Sequence, residues 1–290
     1  MISIIIPVLN EENAVVETII ACRNVIDAIG DINSEIIIVD DASIDNTYNK
    51  VLQSKVNVIR HNFNMGYGKS LKDGIVAAKN DTIIITDADG TYPIEAIPLL
   101  LNVFNNRNAM VVGERKWKTF GESFIKKTFR KILRSIIEYA TNRNVPDVNS
   151  GLRIFSKKEI LPFLPTLCDT FSFTTSLTLA YMMTEKLVDY LPIDYNKRIG
   201  KTKVKPIKDT LKTLQFIIQA LNKYNPLKLL MPYCIFLFSL AIIIIVIALT
   251  IHIHYICFVA LEGFLFFSLI IGIIVILQKS KLKRYEHKQR

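Results

Sequence analysis

The 290-residue chain contains no CxxC pair. Its four cysteines (Cys22, Cys168, Cys234 and Cys257) are scattered, which excludes a zinc ribbon, a dithiol redox motif and a disulfide framework, and they read as reduced packing residues. There is no internal repeat and no low-complexity tract, so solenoids and long disordered arms are also excluded. No leader pattern precedes the apolar run Ile2-Ser3-Ile4-Ile5-Ile6, which gives the expectation of a cytosolic N-terminus. Acidic residues are in deficit: 36 Lys and Arg face 26 Asp and Glu, for a formal charge of +10. The excess is clustered. One group runs from Arg115 and Lys118 through Lys126, Lys127, Arg130, Lys131 and Arg134. A second holds Lys197, Arg198, Lys201, Lys203, Lys205 and Lys208, and a third forms the tail 279–290. These clusters flank an apolar segment, so lipid headgroups and phosphates are the expected partners, with no nucleic acid.

Charge is missing altogether from residues 229–251, and a second apolar run covers 256–277. Either is long enough for a hydrocarbon core of ~30 Å at a rise of ~1.5 Å per residue. The link His252-Ile253-His254-Tyr255 is so short that the reading is an antiparallel transmembrane hairpin. Basic flanks then place both ends in the cytosol. The two histidines of the link read as interfacial residues, since two ligands in an exposed turn make a poor metal site. Glu262 interrupts the second run at a cost of ~3 kcal/mol in mid-membrane. It calls for protonation, an interfacial position or a partner in a homo-oligomer formed through these helices.

Before the anchor, β-branched runs at 2–7, 35–40, 56–60, 82–87 and 110–113 alternate with amphipathic stretches at 12–28, 45–53, 67–79 and 94–104. Continuous apolar strands separated by helices predict a mostly parallel α/β sheet covered on both faces. Such sheets bind ligands beyond the carboxyl ends of their strands, where Asn10-Glu11-Glu12, Asp40-Asp41 and Asp87-Ala88-Asp89 fall. Further strands are expected at 150–155 and 187–193. Residues 124–140 form a basic amphipathic helix that either packs on the domain or lies in a membrane interface. A juxtamembrane helix is expected at 206–224.

Asp87-Ala88-Asp89 is the sharpest chemical signal. In extended backbone, residues two apart point to one side, so both carboxylates can face one cation. Hard oxygen ligands suit Mg²⁺ or Mn²⁺, which bridge to substrate phosphates. Gly68-Lys69-Ser70 imitates the end of a phosphate-binding P-loop, but Phe63 stands where its first glycine belongs.

With these come Ile4-Ile5-Ile6-Pro7-Val8-Leu9-Asn10-Glu11-Glu12, Ile38-Val39-Asp40-Asp41-Ala42-Ser43 with Asp45 and Thr47, and Asn64-Met65-Gly66-Tyr67-Gly68-Lys69. Then follow Asp87-Ala88-Asp89-Gly90-Thr91-Tyr92-Pro93, Val112-Gly113-Glu114-Arg115, Asp147-Val148-Asn149-Ser150-Gly151-Leu152-Arg153-Ile154-Phe155 and Lys197-Arg198-Ile199-Gly200-Lys201-Thr202-Lys203. On these residues the chain resembles the family 2 glycosyltransferases of the GT-A (nucleotide-diphospho-sugar transferase, Rossmann-like) fold, in the dolichyl/polyprenyl-phosphate sugar synthase group, in which a C-terminal two-helix tail also occurs.

The resemblance implies a GT-A domain over 1–205, a juxtamembrane helix over 206–228, two transmembrane helices within 229–277 and a basic tail over 278–290. It implies that Pro7, Leu9, Glu11, Val39 and Asp41 cradle the nucleotide base and ribose, with Ala88 in the same substrate-binding set. Asp87 and Asp89 hold Mg²⁺ or Mn²⁺, with Thr91 as third ligand where family members often carry an amide. Arg115, Arg198 and Lys203 contact the phosphates of donor and acceptor; Arg130, Lys131 and Arg153 are further candidates. Asp89, Arg198 and Asp147 are the catalytic candidates. Some relatives place an acidic residue near position 151, which is glycine here, so Asp147 is the nearest carboxylate for a base. The implied reaction moves one sugar, with inversion, from a UDP- or GDP-sugar to a polyprenyl phosphate at the cytosolic face of the membrane. An alternative acceptor is a diacylglycerol or a growing lipid-linked glycan. Trp117 has no QxxRW context, which argues against processive polysaccharide synthesis.

Overall fold

The computed structural model describes residues 1–290 except 31, 105–108, 117–123, 199–205, 251–261 and 269–290; the side chains of 124–127, 129–130, 206–209 and 248–250 are also outside the description. The chain divides into two compact units, Met1–Ile217 and Ile218–Arg290.

The first unit alternates strands and helices: β1 (Ile2–Val8), α1 (Val15–Ile29), β2 (Glu35–Asp40), α2 (Thr47–Gln53), β3 (Asn57–Arg60), α3 (Tyr67–Ala77), β4 (Thr82–Ile85) and α4 (Ile97–Phe104). It continues with β5 (Met110–Lys116), α5 (Phe124–Thr141), β6 (Arg153–Ser156), α6 (Lys157–Ile160), α7 (Phe173–Met183) and β7 (Val188–Asp194). The strands form one seven-stranded sheet in the order β3-β2-β1-β4-β6-β5-β7. β1 lies in its middle, parallel to β2 with Ile5 opposite Ile37, and parallel to β4 with Ile5 opposite Ile85. Because side chains alternate along a strand, Ile4, Ile6 and Val8 join Val15, Ile19 and Leu100 on one face. Ile5 joins Leu71, Ile75, Phe173 and Leu177 on the other. Every residue of β1 is buried, which is why it reads as an unbroken apolar run rather than an alternating one.

The sheet is mixed. β6 runs antiparallel to both neighbours, pairing Ile85 with Arg153 and Val112 with Arg153, while β7 is parallel to β5 at the edge. The segment leading into β6 therefore arrives at the same end of the sheet as the loops leaving β1, β4 and β5. The chain passes from β1 to β2 on one side and places β4 on the other, which makes the crevice beyond these carboxyl ends a topological switch point.

After β7 come α8 (Pro206–Tyr224) and α9 (Pro226–Thr250). Within α9, residues Pro226–Ile247 are long and apolar enough to cross a membrane. Their side chains are not those of a core helix: Ile235, Phe236 and Phe238 each stay more than half exposed within the unit. Residues 262–268 are also helical, with Glu262 exposed. Tyr233 stacks near Phe267 (centroids 5.9 Å) and Phe238 near Phe264 (5.9 Å). The pairing descends on one segment as it ascends on the other, so this helical segment runs against α9. The rest of the run 256–277 lies outside the described residues.

Candidate active site

The loop after β1 is shaped before any ligand arrives. Asn10 sits at φ 50° and Ala42, after β2, at φ 63°, a left-handed backbone that non-glycine residues adopt only when neighbours hold them there. The holding is mutual. Asn10 N donates to Ser43 Oγ (2.9 Å), Glu11 N to Thr47 Oγ1 (2.8 Å) and Glu12 N to Asp45 Oδ2 (3.3 Å), while Asn10 Oδ1 accepts from Ile44 N (2.8 Å). The polar residues after Asp41 thus frame the backbone that presents Glu11.

Asp41 is only 4% exposed. Its Oδ1 accepts from Met65 N at 2.7 Å and faces His61 Nδ1 at 2.8 Å; its Oδ2 accepts from Gly66 N at 2.9 Å. His61 Nε2 reaches Asp73 Oδ2 at 3.1 Å. The carboxylate of Asp41, expected in the cradle for base and ribose, is turned inward onto the loop 61–66. Pro7, Val39 and Ala88 also have buried side chains, which leaves their backbone for any ligand, whereas Leu9 is half-buried.

β4 ends at Ile85, so Asp87 and Asp89 lie in the turn beyond it, closed by Gly90 at φ 72°. Strand alternation is thus not what brings them together; the turn is. Tyr67 donates its hydroxyl to Asp87 Oδ1 at 2.9 Å. Asp89 Oδ1 accepts from Thr91 N (3.1 Å) and from Thr91 Oγ1 (2.5 Å). Burial, then the nearby charge of Asp89, pushes Asp87 up to about 6, against the Tyr67 hydrogen bond and the charges of Arg115 and Arg198. Burial, followed by the Asp87 charge, likewise raises Tyr67 well above the usual phenol range, so its hydroxyl remains a donor.

Arg198 spans the crevice. Its Nη2 meets Glu11 Oε1 at 2.7 Å and its Nη1 meets Asp89 Oδ2 at 3.3 Å. Its Nε is buried with no partner among the described residues. One guanidinium thus joins the loop after β1 to the loop after β4, at the switch point, with one donor still uncommitted.

Two carboxylates on one turn, beside a guanidinium nitrogen with no partner among the described residues, fit a hard divalent cation carried with a phosphate. No group of three or more His, Cys, Asp or Glu side chains among the described residues is arranged to hold a metal ion. Further ligands would therefore be water and substrate oxygens, as is usual for Mg²⁺. Thr91, expected as the third ligand, lies beside Asp89. It is fully buried, and its hydroxyl is engaged in bracing Asp89.

Asp147, expected as a base, and Arg115, expected on a phosphate, are paired with each other. Arg115 Nε meets Asp147 Oδ2 at 2.7 Å and Nη2 meets Oδ1 at 2.8 Å, a two-pronged pair. The amides of Arg115 and Asn149 donate to the same carboxylate. Burial alone would raise Asp147, but the Arg115 hydrogen bonds and charge overcome it and hold the carboxyl below its ordinary value. A carboxylate so engaged is a poor base, and a guanidinium so engaged has little left for a phosphate. Arg115 also lies 5.3 Å from the Tyr195 ring centroid, and Tyr195 meets Tyr92 edge-on.

Arg153 is 0% exposed and donates to Ser150 O, Val148 O and Thr178 Oγ1 (2.8, 2.7 and 2.7 Å), which anchors the start of β6 to α7. Lys131 is exposed on α5, where it lines a surface cavity of about 390 Å³ with Ile132, Ser135, Ile136 and Tyr139. The side chain of Arg130 and the whole of Lys203 lie outside the described residues.

Tyr67 and Tyr92 were not singled out by the sequence, and Gly151 was noted there only as lacking an acidic side chain. Tyr92 Oη accepts from Gly151 N at 2.6 Å, and a Cβ at position 151 would lie 2.8 Å from Asp87 Oδ2. Their motifs were visible, but contacts across 20 to 60 residues were not.

A model of the family described as Glycosyl transferase family 2 matches residues 3–160, more than half of the chain. The chain is 30% identical over 191 residues to the undecaprenyl-phosphate 4-deoxy-4-formamido-L-arabinose transferase of Proteus mirabilis, covering 59% of this chain and 56% of that one. It is 35% identical over 118 residues to the dolichol-phosphate mannosyltransferase of Pyrococcus furiosus (39% and 33% covered). It is 26% identical over 208 residues to the dolichyl-phosphate hexose transferase of Haloferax volcanii (71% and 87%). The chain spans about half the length of the Proteus relative, 56%. Among solved structures, glucosyl-3-phosphoglycerate synthase from Mycobacterium tuberculosis, in complex with Mn²⁺, UDP-glucose and phosphoglyceric acid, superposes with a TM-score of 0.61. Its sequence identity is 16%, with 76% of this chain and 79% of that chain covered. At that identity the likeness shows a GT-A-like fold and nothing finer.

Proposed function

Because the chain belongs to glycosyl transferase family 2, we propose that it transfers a single sugar, with inversion, from a UDP- or GDP-sugar to a polyprenyl phosphate, with Mg²⁺ or Mn²⁺ held by Asp87 and Asp89. The observation that carries the reading is Arg198, which bridges Glu11 and Asp89 across the switch point, its Nε without a partner among the described residues. The relatives support the acceptor class, since each is named as a transferase of a polyprenyl phosphate.

The reaction breaks the bond between the anomeric carbon and the diphosphate while an acceptor phosphate oxygen attacks from the opposite side. A divalent cation between the two carboxylates would stabilise the charge on the departing diphosphate. Arg198 places its guanidinium where that charge develops, and Glu11 and Asp89 hold it there in advance, so little reorganisation is needed. The attacking phosphate monoester has a second pKa of ~6 and is mostly ionised near neutrality. A strong base is therefore unnecessary, in keeping with the commitment of Asp147 to Arg115. What remains for the protein is positioning and charge.

The reading places the enzyme in a membrane through two helices, α9 and the run 256–277, with the catalytic domain and both termini on the cytosolic side. It draws on the antiparallel ring contacts of Tyr233 with Phe267 and Phe238 with Phe264, and on the basic residues that flank both apolar runs. The test incubates membranes containing the protein with a panel of labelled UDP- and GDP-sugars and undecaprenyl or dolichyl phosphate. Label should enter the lipid phase in a Mg²⁺- or Mn²⁺-dependent way and disappear with Asp89→Ala. Transfer that is unchanged in this variant would remove the assigned site. Label confined to a diacylglycerol or a lipid-linked glycan would replace the acceptor.

A further inference from the structure

Asp87 is fixed by two contacts from outside its own turn. On one side Tyr67 donates its hydroxyl to Oδ1 at 2.9 Å. On the other, the bare backbone of Gly151 sits so near that an added methyl would be 2.8 Å from Oδ2 and 3.0 Å from Oδ1. A carboxylate pinned between a donor and a backbone wall has little freedom to rotate. We infer that Tyr67 is a positioning residue of the cation site, its hydroxyl setting the orientation in which Asp87 meets the ion. The inference rests on the reading that Asp87 and Asp89 hold a divalent cation.

The delivery of that hydroxyl is itself built in. Gly66 takes φ +104°, a conformation closed to most side chains. Its amide and that of Met65 are both bonded to Asp41, at 2.9 and 2.7 Å. Gly66 and Gly68 lie flat against the segment 168–170: a Cβ would stand 2.5 Å from Asp169 O at the first and 2.1 Å from Cys168 O at the second. Lys69 N then donates to Asp169 O at 3.0 Å. The Tyr67 ring stacks on Phe171, with centroids 5.6 Å apart and planes 16° from parallel. The segment 168–171 therefore holds both the backbone and the ring, and Asp41 adds a second hold on the backbone.

Asp41 gains a role from this. It is turned inward, yet its carboxylate fastens the two residues that immediately precede Tyr67. A short hydrogen-bonded strut thus runs from the Asp41 carboxylate through residues 65–67 to the hydroxyl on Asp87, and it links the ends of β2 and β4 without passing through β1, the strand between them.

Outer partners of metal-binding carboxylates typically change metal affinity by about 10- to 100-fold when removed. The test titrates the full chain in detergent with Mn²⁺ alone, and then with Mn²⁺ at saturating UDP or GDP, reading free Mn²⁺ by its electron paramagnetic resonance signal. Wild type is compared with Asp89→Asn, Tyr67→Phe and Phe171→Leu. Asp89→Asn should abolish binding. Tyr67→Phe keeps the ring and its stack, and should weaken Mn²⁺ by about 10-fold or more, with a thermal midpoint near that of wild type. Phe171→Leu loosens the ring but keeps the hydroxyl, and should have the smaller effect. If Tyr67→Phe binds Mn²⁺ as wild type does while Asp89→Asn does not, the positioning role falls and the cation site stands. If Phe171→Leu weakens Mn²⁺ more than Tyr67→Phe does, ring packing rather than the hydroxyl is responsible, and the inference is overturned. If wild type shows no saturable Mn²⁺ binding, or Asp89→Asn retains it, the cation site itself falls and takes the inference with it.

Discussion

Arg198 has 29% of its side chain exposed, yet it makes the contact that joins the two halves of the crevice. Replacement by Ala removes a placed charge rather than a piece of core. It should lower kcat of sugar transfer by about 10²- to 10³-fold while leaving the urea midpoint close to wild type. Lys is expected to recover little, because a single ammonium cannot fork between Glu11 and Asp89 as a guanidinium does. Asp147 gives a contrasting case with a pH signature. Its folded carboxyl is held below the ordinary value, with the Arg115 bonds and charge winning over burial. Its contribution to stability is therefore present above the unfolded value of ~4 and lost as pH falls through the folded one. Asp147→Asn should be less stable than wild type at pH 7, and the gap in urea midpoint should close below pH ~4.

The spacing of Asp87 and Asp89 suggested a shared cation by itself, whereas Glu11 and Arg198 became candidates only through the family resemblance. The sequence could not say which charges would neutralise one another. Asp147 and Arg115 lie 32 residues apart and Arg153 and Thr178 lie 25 apart, so a charge that looked free for substrate proved to be committed inside the protein.

At the level of elements, the alternation of apolar strands and helices exposed the order of the fold. The expected strands at 2–7, 35–40, 56–60, 82–87 and 110–113 correspond to β1 through β5, and those at 150–155 and 187–193 to β6 and β7. Strand direction was not legible, because an apolar run reads the same whichever way it is inserted. β6 is antiparallel, and that single reversal is what carries Gly151 to Asp87. The reversal has a dedicated brace in Arg153, whose guanidinium bonds the carbonyls of Val148 and Ser150 and the hydroxyl of Thr178 on α7. Arg153→Met fills much of the space but leaves those acceptors without a donor. It should cost about 3 kcal/mol of unfolding free energy, measured by urea titration. The misplaced end of β4 has a similar origin: Thr86 and Asp87 have strand-like neighbours in sequence, but the ladder to β1 stops at Ile85.

For the molecule as a whole, the first unit contains the sheet and its two core faces, while the second presents apolar side chains that its own packing leaves exposed. A chain ended after Tyr224 should leave the membrane pellet for the soluble fraction, whereas the full chain should require detergent; fractionation followed by blotting measures both. The sheet order has one more consequence. Strands β3, β2, β1 and β4 come from the first 85 residues, and β5, β6 and β7 from residue 110 onward, with β4 beside β6 as the line where the two blocks meet. The molecule is in this sense a ledger kept in two hands: the early block writes Glu11, Asp87 and Asp89, the later block writes Arg198 and the wall at Gly151. Inheritance can revise one block while the other is conserved, provided that the few residues facing across the seam are left alone. Changes after residue 110 that spare Arg198 and Gly151 leave Glu11, Asp87 and Asp89 with the neighbours they meet across that seam.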